Sequence, residues 1–294
     1  MCRIHVNRTG AEVQPVNADT PQSIAAERAW TPPSGTLGDL VARAHARADA
    51  VAACLPALEA RAAELPPPPP FARALRGGTL RVIAEVKRAS PSKGPIAPSL
   101  DAATQARAYQ AGGAAAISVL TEPERFGGSL EDLAAVTAAV SVPVVRKDFI
   151  VAPVQIWEAR VHGAAAVLLI ARALRPQQLQ SLIAEAARAG LEVLVEIRDE
   201  VEREQAIALG AAVIGVNNRN LETLVIDPAT APTLIPGIPA SCIAIAESGF
   251  VLPGDAETSR LAGADALLIG SSISASPNPA AAVAGFTDLP RVAR

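Results

Sequence analysis

Residues 81–87 read RVIAEVK, an apolar run that ends on Glu85 and Lys87. In a strand, alternation places Ile83, Glu85 and Lys87 on one face and Val82, Ala84 and Val86 on the other. A solvent-facing edge strand accounts for the charges but leaves Val82, Ala84 and Val86 needing cover. A fully buried parallel strand accounts for the apolar residues but not the charges. The surrounding pattern decides. After Leu80 the chain repeats, eight times, a short apolar β-type run, a polar or Gly-rich loop and an amphipathic helix. The predicted strands are 81–87, 115–121 (AAISVLT), 142–148 (VPVVRKD), 165–170 (AAVLLI), 191–197 (LEVLVEI), 212–218 (AVIGVNN), 242–248 (CIAIAES) and 266–272 (ALLIGSS). Helical segments such as PVQIWEARVHG and PQQLQSLIAEAARAG separate them, several ending in glycine as a helix C-terminus does. Eight βα units predict an α/β protein with the (β/α)8 TIM barrel fold. A doubly wound open sheet is the alternative, but it needs no eight units of similar length, and no GxGxxG follows the first strand.

Upstream, residues 1–36 are polar and aperiodic and read as a flexible N-terminal extension. The barrel unit is expected over 37–294. Within it, residues 37–65 are helix-like with a break at Pro56 and cap the barrel, and the run 66–70 is a stiff Pro-rich connector.

Half of the 294 residues are apolar, enough for one large core, and the net charge of −3 with interspersed signs carries no footprint for nucleic acid or an anionic membrane. A small-molecule partner is expected instead. Cys2, Cys54 and Cys242 show no CxxC spacing and form no metal-ligand pattern with His5, His45 and His162, which predicts reduced thiols, no metal and a cytoplasmic protein. The N-terminus lacks the apolar core of a signal peptide, and Arg172 interrupts the one candidate membrane run. Of 26 basic residues only Lys87, Lys93 and Lys147 are lysines, so a lysine here marks a place where arginine does not serve.

In a barrel the C-terminal strand ends form the active-site face. Strand one offers Glu85 and Lys87, strand three Lys147 and Asp148, strand five Glu196, strand six Asn217 and Arg219, and strand seven Glu247 and Ser248, while strand four offers nothing. A buried structural ion pair would also explain Glu85 and Lys87, but not five polar strand ends together. The Gly-rich turns AESGF (246–250) and LIGSS (268–272), with a short helix expected near Ser271, match the phosphate site built from the last two loops of such barrels. Three carboxylates close to two lysines suit acid/base chemistry. Schiff-base chemistry at Lys87 or Lys147 remains open on the residues alone.

The segment IAEVKRASPSKG (83–94) resembles the signature of the indole-3-glycerol phosphate synthase family. SVLTEPERFGGSLEDL, PVVRKDFIV, QIWEAR, LVEI, GVNNRNLETL, AESGF and LIGSS resemble further motifs of that family, in order, across residues 37–285. The resemblance implies closure of the indole ring of 1-(2-carboxyphenylamino)-1-deoxyribulose 5-phosphate with loss of CO2 and water, a carboxy-lyase reaction of tryptophan biosynthesis that needs no cofactor or metal. It also implies roles. Lys147 would protonate the substrate ketone, and Glu196 would serve the later dehydration together with Lys87. Glu85, Asn217 and Glu247 would orient these groups and stabilise the cationic intermediate, while Lys87 and Arg219 would face the anionic groups of the substrate. Ser90, Ser248, Gly249, Gly270 and Ser271 would hold the phosphate, and Phe126 and Phe149 would wall the ring. Ala152, Val154, Ala165 and Arg125 depart from residues frequent in the family but remove no catalytic or phosphate group. A paralogous barrel that is a Schiff-base lyase, or a noncatalytic subunit, is the alternative, and association with other tryptophan-pathway enzymes is left open.

Overall fold

A computed structural model describes residues 30–294. The expected extension lies largely outside the described residues, as do Cys2 and His5. Eight parallel strands close into one barrel in chain order: β1 (Arg81–Val86), β2 (Ala116–Leu120), β3 (Val144–Lys147), β4 (Ala166–Ile170), β5 (Glu192–Ile197), β6 (Val213–Asn217), β7 (Ile243–Glu247) and β8 (Ala266–Ile269). Strand β1 pairs with β8 on one side and β2 on the other, so it has no free edge. Both of its faces are buried, with Val82, Ile83 and Ala84 fully covered and Glu85 only 2% exposed. The charges of RVIAEVK therefore belong to a buried strand, and the edge-strand reading fails. Each strand is one to three residues shorter than its sequence pattern, which leaves Lys87, Asp148, Asn218 and Ser248 just beyond strand ends. The largest C-terminal difference is at β8, where Gly270 breaks the strand and Ser271 opens a helix.

The helices are α1 (Gly35–Val51), α2 (Leu55–Ala63), α3 (Phe71–Ala74), α4 (Ala102–Ala111), α5 (Leu130–Ala139), α6 (Pro153–Val161), α7 (Pro176–Arg188), α8 (Glu200–Ala208), α9 (Thr230–Leu234), α10 (Glu257–Leu261), α11 (Ser271–Ser274) and α12 (Pro279–Ala284). Local chemistry starts them where it should. Asp101, Ser129 and Asp199 each accept the N–H three residues on, at 2.8, 3.0 and 2.8 Å. Pro153 and Pro176 occupy first-turn positions of α6 and α7, where no N–H is needed.

The N-terminal helices run from one end of the barrel to the other. Helix α1 crosses the C-terminal strand ends, where Arg47 donates to Asp148 (2.8 Å) just after β3 and Thr36 N–H donates to Glu222 O (3.1 Å) after β6. The helical break expected at Pro56 falls earlier, in the tight turn Ala52–Cys54, and Pro56 sits in the first turn of α2. Helix α2 packs on α6, and residues 66–70 lead without regular structure to α3. There Glu192, at the N-terminal start of β5, accepts the N–H groups of Phe71 (2.6 Å) and Ala72 (3.0 Å). One strap thus touches both barrel faces.

Helix α8 carries a titratable cap. Glu202 accepts Arg198 N–H at 2.7 Å, and its pKa is pushed up to about 7, by burial first and then by Asp199. A folded pKa above the ordinary 4.5 means that this group supports the fold fully below about 4.5 and that the support is lost as pH rises through about 7. Glutamine keeps the acceptor and cannot ionise. Thermal denaturation should therefore show wild type losing on the order of 1 kcal/mol relative to Glu202→Gln between about pH 6 and 8. Parallel pH profiles would contradict this.

Candidate active site

The cluster at the barrel's C-terminal end starts from Glu85. Its Oε1 lies 2.5 Å from Lys87 Nζ and its Oε2 lies 3.7 Å from Lys147 Nζ. Lys147 Nζ is also 3.8 Å from Glu196 Oε2, and Glu196 Oε1 accepts from Asn217 Nδ2 at 3.0 Å. Asn217 in turn accepts Arg219 N–H (2.9 Å), and the Arg219 guanidinium donates to the Leu224 carbonyl (2.8 Å) rather than to a carboxylate. Four strands, β1, β3, β5 and β6, are connected in one run of polar contacts.

Burial raises the Glu85 carboxyl, but Lys87 and Lys147 outweigh it and hold the group below the usual glutamate range. Burial likewise opposes the Lys147 charge, yet Glu85 and then Glu196 hold its pKa above the ordinary lysine value. Lys147 is thus always loaded with a proton near neutrality. Glu247 behaves oppositely. Burial, and then Glu196, raise its carboxyl well above the ordinary value despite Lys147.

A single cleft above this cluster is lined by Lys87, Ser90, Phe126, Lys147, Phe149, Glu196, Asn217, Arg219, Ser248 and Ser271. Four other candidates lie elsewhere. Glu85 and Glu247, 2% and 1% exposed, form a layer below its floor. Gly249 does not line it, and Gly270 serves Glu85, because a Cβ on Gly270 would meet Glu85 Oε1 at 2.4 Å and Lys87 Nζ at 3.1 Å. The turns after β7 and β8 are joined by Ser272 Oγ donating to Phe250 O (2.9 Å), and Ser248 has a left-handed φ of +69°. Lys93 is exposed in the turn of a short ribbon, Ala89–Ser90 with Gly94–Pro95, and does not line the cleft.

Several contributors were not legible as site residues. Strand β4, which offers no polar residue, supplies Leu168 and Ile170 to the cleft wall, joined by Leu221, Leu224 and Leu40 of α1. Phe126 and Phe149 face one another with ring centroids 6.2 Å apart. The fully buried Glu122 sets Phe126 in place by accepting the N–H groups of Glu124, Arg125 and Phe126 at 3.1, 2.7 and 3.0 Å. Asp148 orders the neighbouring turn through Thr121 (2.7 Å), Arg146 (3.1 Å) and Arg47. The most consequential omission is Gly215, mid-strand in β6, where a Cβ would lie 2.0 Å from Glu247 Oε1. A glycine inside a strand pattern is the available signal for such a close approach. Among the described residues no group of three or more His, Cys, Asp and Glu side chains is arranged to hold a metal ion.

Over residues 40–286 the sequence matches the family model described as indole-3-glycerol phosphate synthase. The chain belongs to the indole-3-glycerol phosphate synthase family. It is 52% identical over 226 residues to indole-3-glycerol phosphate synthase 1 of Streptomyces coelicolor, covering 77% of this chain and 84% of that protein. It is 50% identical over 242 residues to the indole-3-glycerol phosphate synthase of Mycobacterium sp. (strain KMS), covering 82% and 89%. Among solved structures, thiamine phosphate pyrophosphorylase from Pyrococcus furiosus superposes with a TM-score of 0.54 at 14% identity over 70% of this chain and 93% of that one, a likeness of fold alone. Among the described residues no helix is long and apolar enough to cross a membrane.

Filling Gly215 should displace Glu247 without unmaking the barrel. Gly215→Ala is expected to cost about 1–3 kcal/mol of stability, the usual range for overpacking, and to lower kcat at least about tenfold. Gly254→Ala, with nothing within 4 Å of its new Cβ, is the control and should be silent. Circular dichroism with steady-state kinetics checks both. Wild-type kcat for Gly215→Ala would show that Glu247 has room to move.

Proposed function

We propose that the chain is an indole-3-glycerol phosphate synthase, converting 1-(2-carboxyphenylamino)-1-deoxyribulose 5-phosphate to indole-3-glycerol phosphate, CO2 and water. The observation that carries this reading is Lys147. Its ammonium faces an apolar-walled cleft while two buried carboxylates hold it from behind. The reaction is redox-neutral, so the atoms balance without an electron carrier.

The apolar walls made by Phe126, Phe149 and the leucines suit an aromatic ring, while Lys87 and Arg219 at the cleft surface suit its carboxylate. Ser90, Ser248, Ser271 and the leading N–H groups after β7 and β8 take the phosphate. As the ring carbon bonds to the ketone carbon, negative charge grows on the ketone oxygen and Lys147 delivers its proton there. A high lysine pKa is no obstacle, because the acceptor becomes an alkoxide only as the bond forms. The ring that results is cationic until CO2 departs, and the buried Glu85 and Glu196 serve as its fixed counter-charges. Glu196 and Lys87 then share the acid/base work of dehydration. A cytoplasmic location and association with other enzymes of tryptophan synthesis belong to the same proposal.

Incubating purified protein with the carboxyphenylamino-deoxyribulose phosphate, with no addition, should produce indole absorbance and fluorescence; binding without turnover would overturn the assignment. Lys147→Arg should fold normally and lose about 10²-fold or more in kcat, because arginine keeps the charge but releases its proton far less readily. Lys93→Arg should be nearly silent. Borohydride treatment in the presence of substrate should trap no covalent adduct, and an adduct would favour a Schiff-base reaction instead.

A further inference from the structure

Two buried carboxyl oxygens of the cluster have no hydrogen-bond partner, Glu196 Oε2 and Glu247 Oε1. Lys147 Nζ, 3.8 Å from the first, is too far for a hydrogen bond. The strand register explains why the two carboxyls meet. It sets Glu196 opposite Gly215 and Glu247 opposite Asn217, so β6 separates the two glutamates. Gly215 has no side chain, and Glu247 leans across it until Oε1 stands 2.0 Å from where a Cβ would be. Glu196 is then within reach as its hydrogen-bond partner.

Two buried side chains within hydrogen-bonding reach, each with an unpartnered acceptor oxygen, both forgo a hydrogen bond, and a single proton shared between them satisfies both. The charge count agrees. Around Glu247 stand Glu85 from β1, Lys147 from β3 and Glu196 from β5, and Lys87 completes the cluster. Three carboxyl groups oppose two ammonium groups, so one carboxyl must keep its proton for this buried region to be neutral.

We infer that Glu247 is a neutral carboxylic acid that donates its O–H to Glu196 Oε2, a positioning residue that fixes the acid/base carboxylate from beneath the cleft. Asn217 Nδ2 already donates to Glu196 Oε1, so both oxygens of Glu196 are held and the plane of its carboxyl is set. The shift of Glu247 points the same way, since burial and Glu196 together raise its pKa well above the ordinary value. No O–H bond breaks at Glu247 during turnover. Its proton stays in place while Glu196 exchanges its own with the substrate, which makes Glu247 distinct from a counter-charge to the cationic intermediate.

Infrared spectroscopy and kinetics on the full chain test this. Substrate-free wild type at neutral pH should show the C=O stretch of a protonated buried carboxyl that Glu247→Gln lacks, and the difference between the two spectra separates it from Glu202. The glutamine amide retains a donor, so Glu247→Gln should keep kcat within about tenfold, whereas Glu247→Leu should lose about 10²-fold with KM nearly unchanged. No such band in the difference spectrum, or a glutamine variant as impaired as the leucine one, overturns the inference. The kinetic arm rests on the acid/base role proposed for Glu196. The infrared arm needs no turnover, so an inactive protein would sink the proposed function while the band still decides the state of Glu247.

Discussion

Glu85 is 2% exposed, with one oxygen 2.5 Å from Lys87 Nζ and the other 3.7 Å from Lys147 Nζ, and much of the site follows from keeping that carboxylate charged inside a barrel. Desolvation alone would drive it neutral, and two ammonium groups reverse the outcome. The same bridge keeps both lysines at the cleft rather than in solvent. Space for it is made by Gly270, and its backbone is held as firmly as its side chain. The Glu85 carbonyl accepts from Ser274 Oγ (3.0 Å) and from the phenol of Tyr109 (3.3 Å), the chain's single tyrosine, whose pKa burial pushes up to about 12. The short helix α11, which supplies Ser274, also begins with Ser271 of the turn after β8. Charge cluster and the turn after β8 are therefore mechanically one unit.

Above the cluster the cleft is walled by aliphatic and aromatic side chains, and that contrast gives the charges their effect. In a dry setting, fixed ammonium and carboxylate groups act on developing charge far more strongly than in water and need no reorganisation. Glu122 and Asp148 are fully committed to N–H, hydroxyl and guanidinium partners, so they shape loops and anchor α1 instead of joining the chemistry. Helix α1 gives those loops a fixed cover.

The barrel was legible because its evidence is periodic. Eight apolar runs recur, each followed by a loop and a helix, and a helix start signal such as Asp101, Ser129 or Asp199 acts within three residues of itself. Lys87, Lys147, Glu196 and Asn217 were legible for a related reason, since a charged or strongly polar side chain at the end of a buried strand has few structural uses. What escaped depends on partners distant in sequence. Leu168 and Ile170 look like ordinary core until the cleft is seen beside them. Arg47 meets Asp148 across 101 residues. Gly270 read as part of a phosphate turn, yet its missing Cβ makes room for Glu85, 185 residues earlier in the sequence, and Gly215 does the same for Glu247. A glycine announces that something approaches closely without naming what it is.

The bridging role of Glu85 is tested most directly by Glu85→Gln, which is nearly isosteric but leaves two ammonium groups without their shared counter-charge. The measurement is kcat, with circular dichroism to establish that the barrel is folded. Breaking one side of a buried charge cluster is expected to cost on the order of 3 kcal/mol in stability, and loss of the Lys147 alignment should lower kcat about 10²-fold or more in the folded fraction. A folded Glu85→Gln protein with wild-type turnover would show that the lysines hold their places without the carboxylate, and would contradict the central role given to it here.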